Sequence, residues 1–200
     1  ASGALPAAVT TPAIPATHLC PLRARADKIN QKHMLAIKAP TVIFTSLDEG
    51  RMKHMDNACN VGGTLELKVG ALVVLVVNLS QKEGLVNGSR GVVCGFEPVP
   101  RGLEEGDDDV FGGVFYDEGQ VRRGSYNNSS KVLPVVKFTS GVTATIKGYQ
   151  WQHKIGEEVI AQRVQIPLNL AWALTMHKCQ GMTLQAARLS VDGIFENGQL

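Results

Sequence analysis

A short stretch near the carboxyl end of the 200-residue sequence gathers several side chains that donate hydrogen bonds. They are the hydroxyl of Thr175, the imidazole of His177, the ammonium of Lys178 and the carboxamide of Gln180, followed by Gly181. Such donors suit the oxygens of phosphates and sugars, so this stretch is a candidate for nucleic-acid binding. The same residues also fit an ordinary surface helix end, and on composition alone we favour that plainer interpretation because short motif matches carry false positives.

Other kinds of chemistry have weaker support. His177 and Cys179 are two residues apart, so on a helix they point in different directions and do not form a nucleophile and its base. The four cysteines form no Cys-x-x-Cys pair and no zinc spacing, which favours reduced thiols inside a cell. The acidic run at 104–109 lacks the spacing of a calcium loop, so a solvated loop is the better interpretation. Tyr149 and Trp151 could stack on bases, but aromatic residues near strand ends more often pack at the rim of a core. We expect no catalytic residue and no metal site in the chain.

The charge of the chain is unevenly distributed. Twenty basic residues face 18 acidic ones, but five of the acidic residues lie within 104–109. Elsewhere 20 basic residues face 13 acidic ones, an excess of seven that permits binding to a polyanion without requiring it. No apolar run approaches the roughly 20 residues that span a bilayer, so no membrane partner is expected. Residues 1–16 are small, Pro-rich and uncharged, which predicts a disordered segment.

The elements that must position the donor residues lie on both sides of a strand-rich middle. The pattern predicts a helix at 23–37, a strand at 41–46 and a long polar connection at 48–63. The donor residues themselves are predicted on a helix at 170–179, which Gly181 would end in the left-handed conformation. A short buried strand is expected at 187–191.

The middle of the chain predicts a series of short strands. β-Branched runs separated by Gly and Asn occur at 64–69, 71–78, 90–97, 132–139, 142–149 and 161–166. Asn87-Gly88 predicts a tight turn, because both residues tolerate positive φ. Residues 98–130 predict a flexible surface loop with one short strand near 114–116. Several short strands at close spacing suggest a small barrel, so the predicted fold class is α/β with a small β-barrel inserted into it.

The donor stretch closely resembles a motif of superfamily-one DNA helicases of the RecD and Pif type. The matching residues are Ala171, Trp172, Ala173, Thr175, His177, Lys178, Gln180, Gly181 and Thr183. Cys179 departs from the motif, where Ser or Ala is usual, so one hydrogen bond is weaker here. Residues 67–71, Asn78 and 84–91 are similar to the start of the family's inserted barrel. Residues 19–30, which include Asp27-Lys28-Ile29-Asn30, are similar to the motif that opens the family's second RecA-like domain.

The resemblance implies a partial second RecA-like domain with an inserted barrel of Src-homology-like type. Its first part would be residues 17–63, the barrel 64–160 with the flexible loop 98–130, and its truncated remainder 161–200. Helicases of this family are ATP-driven motors that move 5′ to 3′ on single-stranded DNA. The resemblance assigns DNA binding to Thr175, His177, Lys178 and Gln180, and coupling to the nucleotide to Gln180 and Gly181.

The resemblance also implies parts that the printed sequence lacks. ATP and Mg²⁺ would be cofactors of the complete protein, but no G-x-x-x-x-G-K-[ST] loop occurs in the chain. The partners would be single-stranded DNA and a missing N-terminal RecA-like domain. The motif with the family's arginine finger normally follows a Gly-Gln pair, and Gly198-Gln199 stands one residue before the end. We therefore expect a truncated chain, inactive alone as an ATPase, from a protein of the nucleus or mitochondrion.

Two other functions remain open at this point. The barrel could serve as a non-enzymatic module that binds nucleic acid or protein without a motor. The chain could also be a decayed helicase-like sequence with no activity. A P-loop sequence upstream and an arginine motif downstream would favour the helicase.

Overall fold

The computed structural model describes residues 14–55, 59–99, 112–117, 120–125, 132–179, 181–182 and 186–189. Within these ranges the helices are α1 (Arg23–Ala36) and α2 (Met176–Cys179), with a 3-10 turn at Met52–His54. The strands β1 to β15, in chain order, are Thr17–Cys20, Val42–Thr45, Leu47–Gly50, Thr64–Leu67, Leu72–Leu75, Arg90–Pro98, Gly112–Asp117, Gln120–Ser125, Val132–Phe138, Thr143–Thr145, Tyr149–Ile155, Glu158–Gln165, Leu168–Leu170, Ala173–Thr175 and Ala187–Leu189.

Helix α1 is built from good helix formers, with Ile29 as its one β-branched residue. It buries Ala26 and Met34. The helix ends where Ile37 becomes extended, and the ammonium of Lys68 donates to the carbonyl oxygens of Met34, at 3.0 Å, and Ile37, at 2.8 Å. A cation at this end also complements the helix dipole. The helix predicted at 23–37 is confirmed.

A small parallel sheet carries the donor stretch. Its strand order is β14-β1-β15, and β1 pairs in parallel with both neighbours. In the register, Cys20 lies opposite Thr175, so both strands finish at the same edge. Helix α1 packs on this sheet, where Ala26 contacts the buried Cys20 and Ala173.

The strands of the middle region form two open five-stranded sheets. The first has the order β10-β9-β6-β5-β13 and is antiparallel throughout. The predicted tight turn lies between β5 and β6, where Gly88 has a φ of 95° and its N–H donates to the Leu75 carbonyl at 2.8 Å. The turn and the strands on either side of it are confirmed.

The second sheet has the order β3-β12-β11-β7-β8. Strand β12 lies between β11 and β3 and is antiparallel to both. An ion pair reinforces β12 and β3, because Arg163 Nε and Nη2 donate to the two carboxylate oxygens of Asp48 at 2.8 and 2.7 Å. Strands β2 and β4 form a separate antiparallel pair.

One core joins these layers. Its largest fully buried side chains include Phe44, Leu67, Leu75, Phe138 and Ile166. Gln165 is also fully buried, and its carboxamide donates to the Phe44 carbonyl at 3.2 Å and accepts the Ile166 N–H at 2.9 Å. The buried polar group is therefore satisfied, as a polar side chain in a core must be.

Three predictions about the elements are wrong in part. The helix expected over 170–179 is extended until Thr175 and helical only over α2. The connection expected at 48–63 contains most of β3 and the 3-10 turn, and the strand expected near 114–116 belongs to a hairpin of two strands, β7 and β8. The physical cause is the same in each case, since pairing with a partner strand outweighs local composition.

The described residues also show no closed barrel, because the strands expected to form one are divided between the two open sheets. These sheets include β3 and β13, which lie outside 64–160, so the domain boundaries stay a prediction. The remainder of the predicted loop at 98–130 lies outside the described residues, as do 1–13 of the predicted disordered segment. Among the described residues, no helix is long and apolar enough to cross a membrane.

Candidate nucleic-acid interface

The donor stretch begins at the carboxyl edge of the parallel sheet. Strand β14 ends at Thr175, and α2 follows with His177 and Lys178. The chain after β1 leaves the sheet at the same edge and turns directly into α1 at Arg23. In open α/β sheets this edge is where ligands bind, because the loops and helix starts converge there.

The backbone entering the stretch is held on both sides. Toward β1, the His18 N–H donates to the Trp172 carbonyl at 2.8 Å, and the buried Thr17 hydroxyl donates to the Ala171 carbonyl at 2.9 Å. Toward α1, the Asn30 carboxamide accepts the Ala173 N–H at 2.9 Å and donates to the Ala173 carbonyl at 2.8 Å. The approach to the donor residues is therefore fixed before the first of them is reached.

The ring of Trp172 is covered by α1 as well. The imidazole of His33 lies parallel to it, with ring centroids 5.1 Å apart and an angle of 7° between the planes. Trp172 itself is buried, with 9% of its surface exposed. The tryptophan of the motif thus packs between the core and the last turn of α1.

Lys178 is the charged donor that the structure describes in full. Its side chain is half-buried on α2, close to the start of α1. Burial lowers the pKa of its ammonium, the Arg23 guanidinium lowers it further, and the Asp27 carboxylate acts in the opposite sense. A phosphate placed beside this ammonium would offset both unfavourable effects, because an opposite charge favours the charged form.

Of the other predicted donors, the structure describes the side chain of Thr175 alone. Thr175 is buried, with 9% of its surface exposed, so most of its side chain faces the protein. The side chain of His177 and all of Gln180 lie outside the described residues. The structure therefore brings Thr175 and Lys178 to one edge of the sheet.

Gly181 follows the helical turn and has a φ of 75°, the left-handed conformation that the sequence predicts. The Met182 N–H donates to the Cys179 carbonyl at 3.0 Å, which closes the turn. The carboxamide of Asn87 donates to the Gly181 carbonyl at 3.4 Å, so the tight turn of the first five-stranded sheet reaches the end of the donor stretch.

Cys179 is unsuited to nucleophilic chemistry. Burial raises the pKa of its thiol to about 11, so the reactive thiolate is scarce at neutral pH. Among the described residues, no group of three or more His, Cys, Asp or Glu side chains lies together as a metal site would require.

The aromatic pair considered for base stacking is packed on itself. Tyr149 and Trp151 meet edge to face, with ring centroids 4.7 Å apart and planes at 62°. Trp151 is half-buried against the core. Rim packing describes these residues better than an open stacking platform does.

Comparison with known proteins agrees with these features. A family model described as "DNA helicase Pif1, 2B domain" matches residues 53–96. The ATP-dependent DNA helicase PIF1 of Rattus norvegicus is 34% identical over 186 residues, which cover 92% of this chain and 24% of that protein. The chain thus spans about a quarter of the length of the curated relative.

Solved structures show the same fold. The Pif1 helicase of Candida albicans aligns with a TM-score of 0.69 and 29% identity, over 93% of this chain and 41% of that chain. The Bacteroides Pif1 helicase in complex with ADP-AlF3 and ssDNA aligns with a TM-score of 0.57 and 24% identity, over 92% of this chain and 36% of that one. The motif, the matched family model and the fold together identify the chain as a relative of the Pif1-type, superfamily-one DNA helicases.

Proposed function

We propose that the chain forms the part of an ATP-dependent DNA helicase that contacts single-stranded DNA and couples this contact to ATP hydrolysis. The observation that carries the proposal is the position of Lys178, a half-buried ammonium at the carboxyl edge of the parallel sheet. The names of the relatives support a helicase, and the Bacteroides relative was solved with single-stranded DNA.

In this proposal the parallel sheet and α1 are part of the helicase's second RecA-like domain, formed by residues 17–63 and 161–200. Residues 64–160 are the inserted module. ATP and Mg²⁺ bind with the help of an N-terminal RecA-like domain, since the printed sequence contains no phosphate-binding loop. Movement is 5′ to 3′, and the protein works in the nucleus or mitochondrion.

The chemistry of the edge suits a motor that must hold DNA of any sequence. Lys178 contacts a phosphate of the backbone, an interaction that carries no base information. His177 and Gln180 add hydrogen bonds around it, and the small exposed part of Thr175 completes the contact. Because Gln180 and Gly181 lie only two and three residues after Lys178, a shift of the DNA backbone is passed to the segment that couples with the nucleotide.

Substitution of Lys178 in the full-length protein tests the proposal. Lys178→Ala should weaken binding of single-stranded oligonucleotides by a similar factor for all sequences. It should also flatten the plot of log affinity against log salt concentration by about 0.7, since one phosphate contact on a single strand releases about that many counterions. Stimulation of ATP hydrolysis by DNA should fall with it.

Lys154→Ala is the matched control, because Lys154 is an exposed lysine on β11 in the second five-stranded sheet. It removes the same charge away from the parallel sheet and should leave the salt slope unchanged. An unchanged salt slope and intact DNA stimulation in Lys178→Ala would remove this segment from the DNA path and, with it, the proposed function.

A further inference from the structure

Strand β14 is an edge strand of the described parallel sheet, with β1 on one side only. Backbone groups of successive strand residues point to alternate sides. The backbone carbonyl of Trp172 points toward β1, since it accepts the His18 N–H. The backbone N–H and carbonyl of Ala173 therefore point away from β1, to the side where another strand of the sheet would pair.

The Asn30 carboxamide occupies that side. It accepts from the Ala173 N–H at 2.9 Å and donates to the Ala173 carbonyl at 2.8 Å, so it makes both bonds that a neighbouring strand would make. Both distances lie at the optimum for N–H···O bonds. A carboxamide has the same donor and acceptor as a peptide group, which is why it can take the place of one.

The same face of α1 follows the donor stretch along its length. Arg23, Asp27, Asn30 and His33 are spaced three or four residues apart, and such residues share one face of a helix. Arg23 and Asp27 lie close enough to Lys178 to perturb its pKa, Asn30 holds Ala173, and His33 stacks on Trp172. Asn30 is the member of this face that fixes the backbone.

We propose that Asn30 is a positioning residue for DNA binding, since its carboxamide fixes the edge of β14 and so places Lys178 on the DNA path. This inference rests on the proposed function of the donor stretch. Two residues separate Ala173 from the start of α2, so a shift of Ala173 moves Lys178 relative to Arg23 and Asp27. Asn30 itself does not touch the DNA.

Asn30→Leu in the full-length protein is the first test. Leucine has nearly the same shape, but it leaves the Ala173 N–H and carbonyl without their partner. Affinity for single-stranded DNA should fall about tenfold, the effect of losing roughly one buried hydrogen bond. The DNA concentration for half-maximal stimulation of ATP hydrolysis should rise by a similar factor. The salt slope should stay as in the native protein, because Lys178 still reaches its phosphate in the bound state and the lost affinity is the cost of moving the edge of β14 back into place.

Asn169→Leu is the matched control. Asn169 lies on β13 shortly before the stretch, and its carboxamide donates one bond, to the Asn60 carbonyl at 3.0 Å. This variant should bind DNA within about twofold of the native protein.

Asn30→Asp provides a second test that does not depend on the stability of the leucine variant. The introduced carboxylate keeps the acceptor for the Ala173 N–H but repels the Ala173 carbonyl. When it is protonated, it regains the lost donor. The affinity ratio of native protein to Asn30→Asp should therefore be large at pH 8 and shrink as pH falls toward about 4, near the ordinary carboxyl pKa, measured on both proteins at each pH.

The outcomes separate this inference from the proposed function. If Lys178→Ala weakens DNA binding while folded Asn30→Leu and Asn30→Asp bind like the native protein at every pH, Asn30 has a structural role only and the inference is wrong. If Lys178→Ala itself leaves binding and salt slope unchanged, the proposed function fails, whatever the Asn30 variants do.

Discussion

The thiol of Cys179 stands in the motif at a position that more often holds a hydroxyl or a methyl group. The structure places this side chain half-buried against the core, next to the turn that Gly181 ends. A thiol behaves there as a small apolar group, because its hydrogen bonds are weak and burial favours its neutral form. Cys179, where the sequence departs from the motif, is thus accommodated by packing against the core.

The buried thiol predicts an order of chemical labelling. With a pKa of about 11, Cys179 is a thiolate in roughly one molecule in a thousand at pH 8. Cys94 is exposed, whereas Cys20 and Cys59 are buried. Iodoacetamide should therefore label Cys94 first, with Cys179 at least about a hundredfold slower, as measured by mass spectrometry of timed digests. Cys94→Ser should remove the fast phase. Labelling of Cys179 as fast as Cys94 would show that it is accessible and ionised.

At the scale of elements, the ion pair between Arg163 and Asp48 helps to hold β3 in the second sheet, although 115 residues separate the two partners along the chain. Arg163 also donates to the Val61 carbonyl at 3.0 Å, so one guanidinium ties three segments together. Hydrogen bonding from Arg163 holds the pKa of the Asp48 carboxyl below its usual range. The pair is bidentate, a geometry that makes ion pairs between arginine and carboxylate comparatively strong.

This pair predicts a dependence of stability on pH. Because the folded-state pKa of Asp48 is depressed, its contribution is complete above the ordinary carboxyl pKa and is lost as pH falls through the folded value. Asp48→Asn should lower the free energy of unfolding by about 0.5–1 kcal/mol at pH 7, because solvent screens a pair whose carboxylate is exposed. The difference from the native protein should narrow below about pH 4. Urea unfolding across this range measures it, with Glu49→Gln, an exposed neighbour on β3, as the control. A difference that stays constant down to pH 2 would contradict the assignment.

The sequence predicts α1, the tight turn at Asn87-Gly88 and most strands of the middle region, because their patterns are local. It starts the helix of the donor stretch too early, since Ala173 to Thr175 are extended through pairing with β1, more than 150 residues earlier. It also misses β3, whose polar residues become a strand by pairing with β12. Long-range pairing of this kind leaves no periodic signal in a short window.

For the candidate site, the sequence predicts which residues carry the donors but not what holds them. Lys178 and Gly181 lie where the motif suggests, at the carboxyl edge and in the left-handed turn. The sequence gives Asn30 only as one residue of the segment 19–30, which is similar to the motif that opens the family's second RecA-like domain. Its role depends on a side chain reaching the backbone of a residue 143 positions away, and spacing along the chain contains no such information.

At the scale of the whole molecule, the chain should be unable to hydrolyse ATP without the N-terminal RecA-like domain. In a clean preparation, the 200-residue chain should show no ATP turnover with or without single-stranded DNA, because its sequence contains no loop to hold the β- and γ-phosphates. A coupled assay for ADP release measures this, with the full-length protein as the positive control. ATP hydrolysis that co-purifies with the chain through successive purification steps would contradict this prediction.

The topology of the parallel sheet also determines when the donor stretch can fold. Its central strand, β1, comes from the first residues of the printed chain, and Thr17 bonds to a carbonyl 154 residues later. At the usual 5–20 residues per second of synthesis, β1 waits roughly 8–30 s on the ribosome for its first partner strand. Contacts so distant along the chain also form slowly, because a long loop must close first. The consecutive antiparallel pairs of the middle region, such as β5 with β6 and β11 with β12, meet no such delay. The carboxyl edge of the parallel sheet should thus fold after these antiparallel pairs, and a stalled ribosome would leave β1 unpaired.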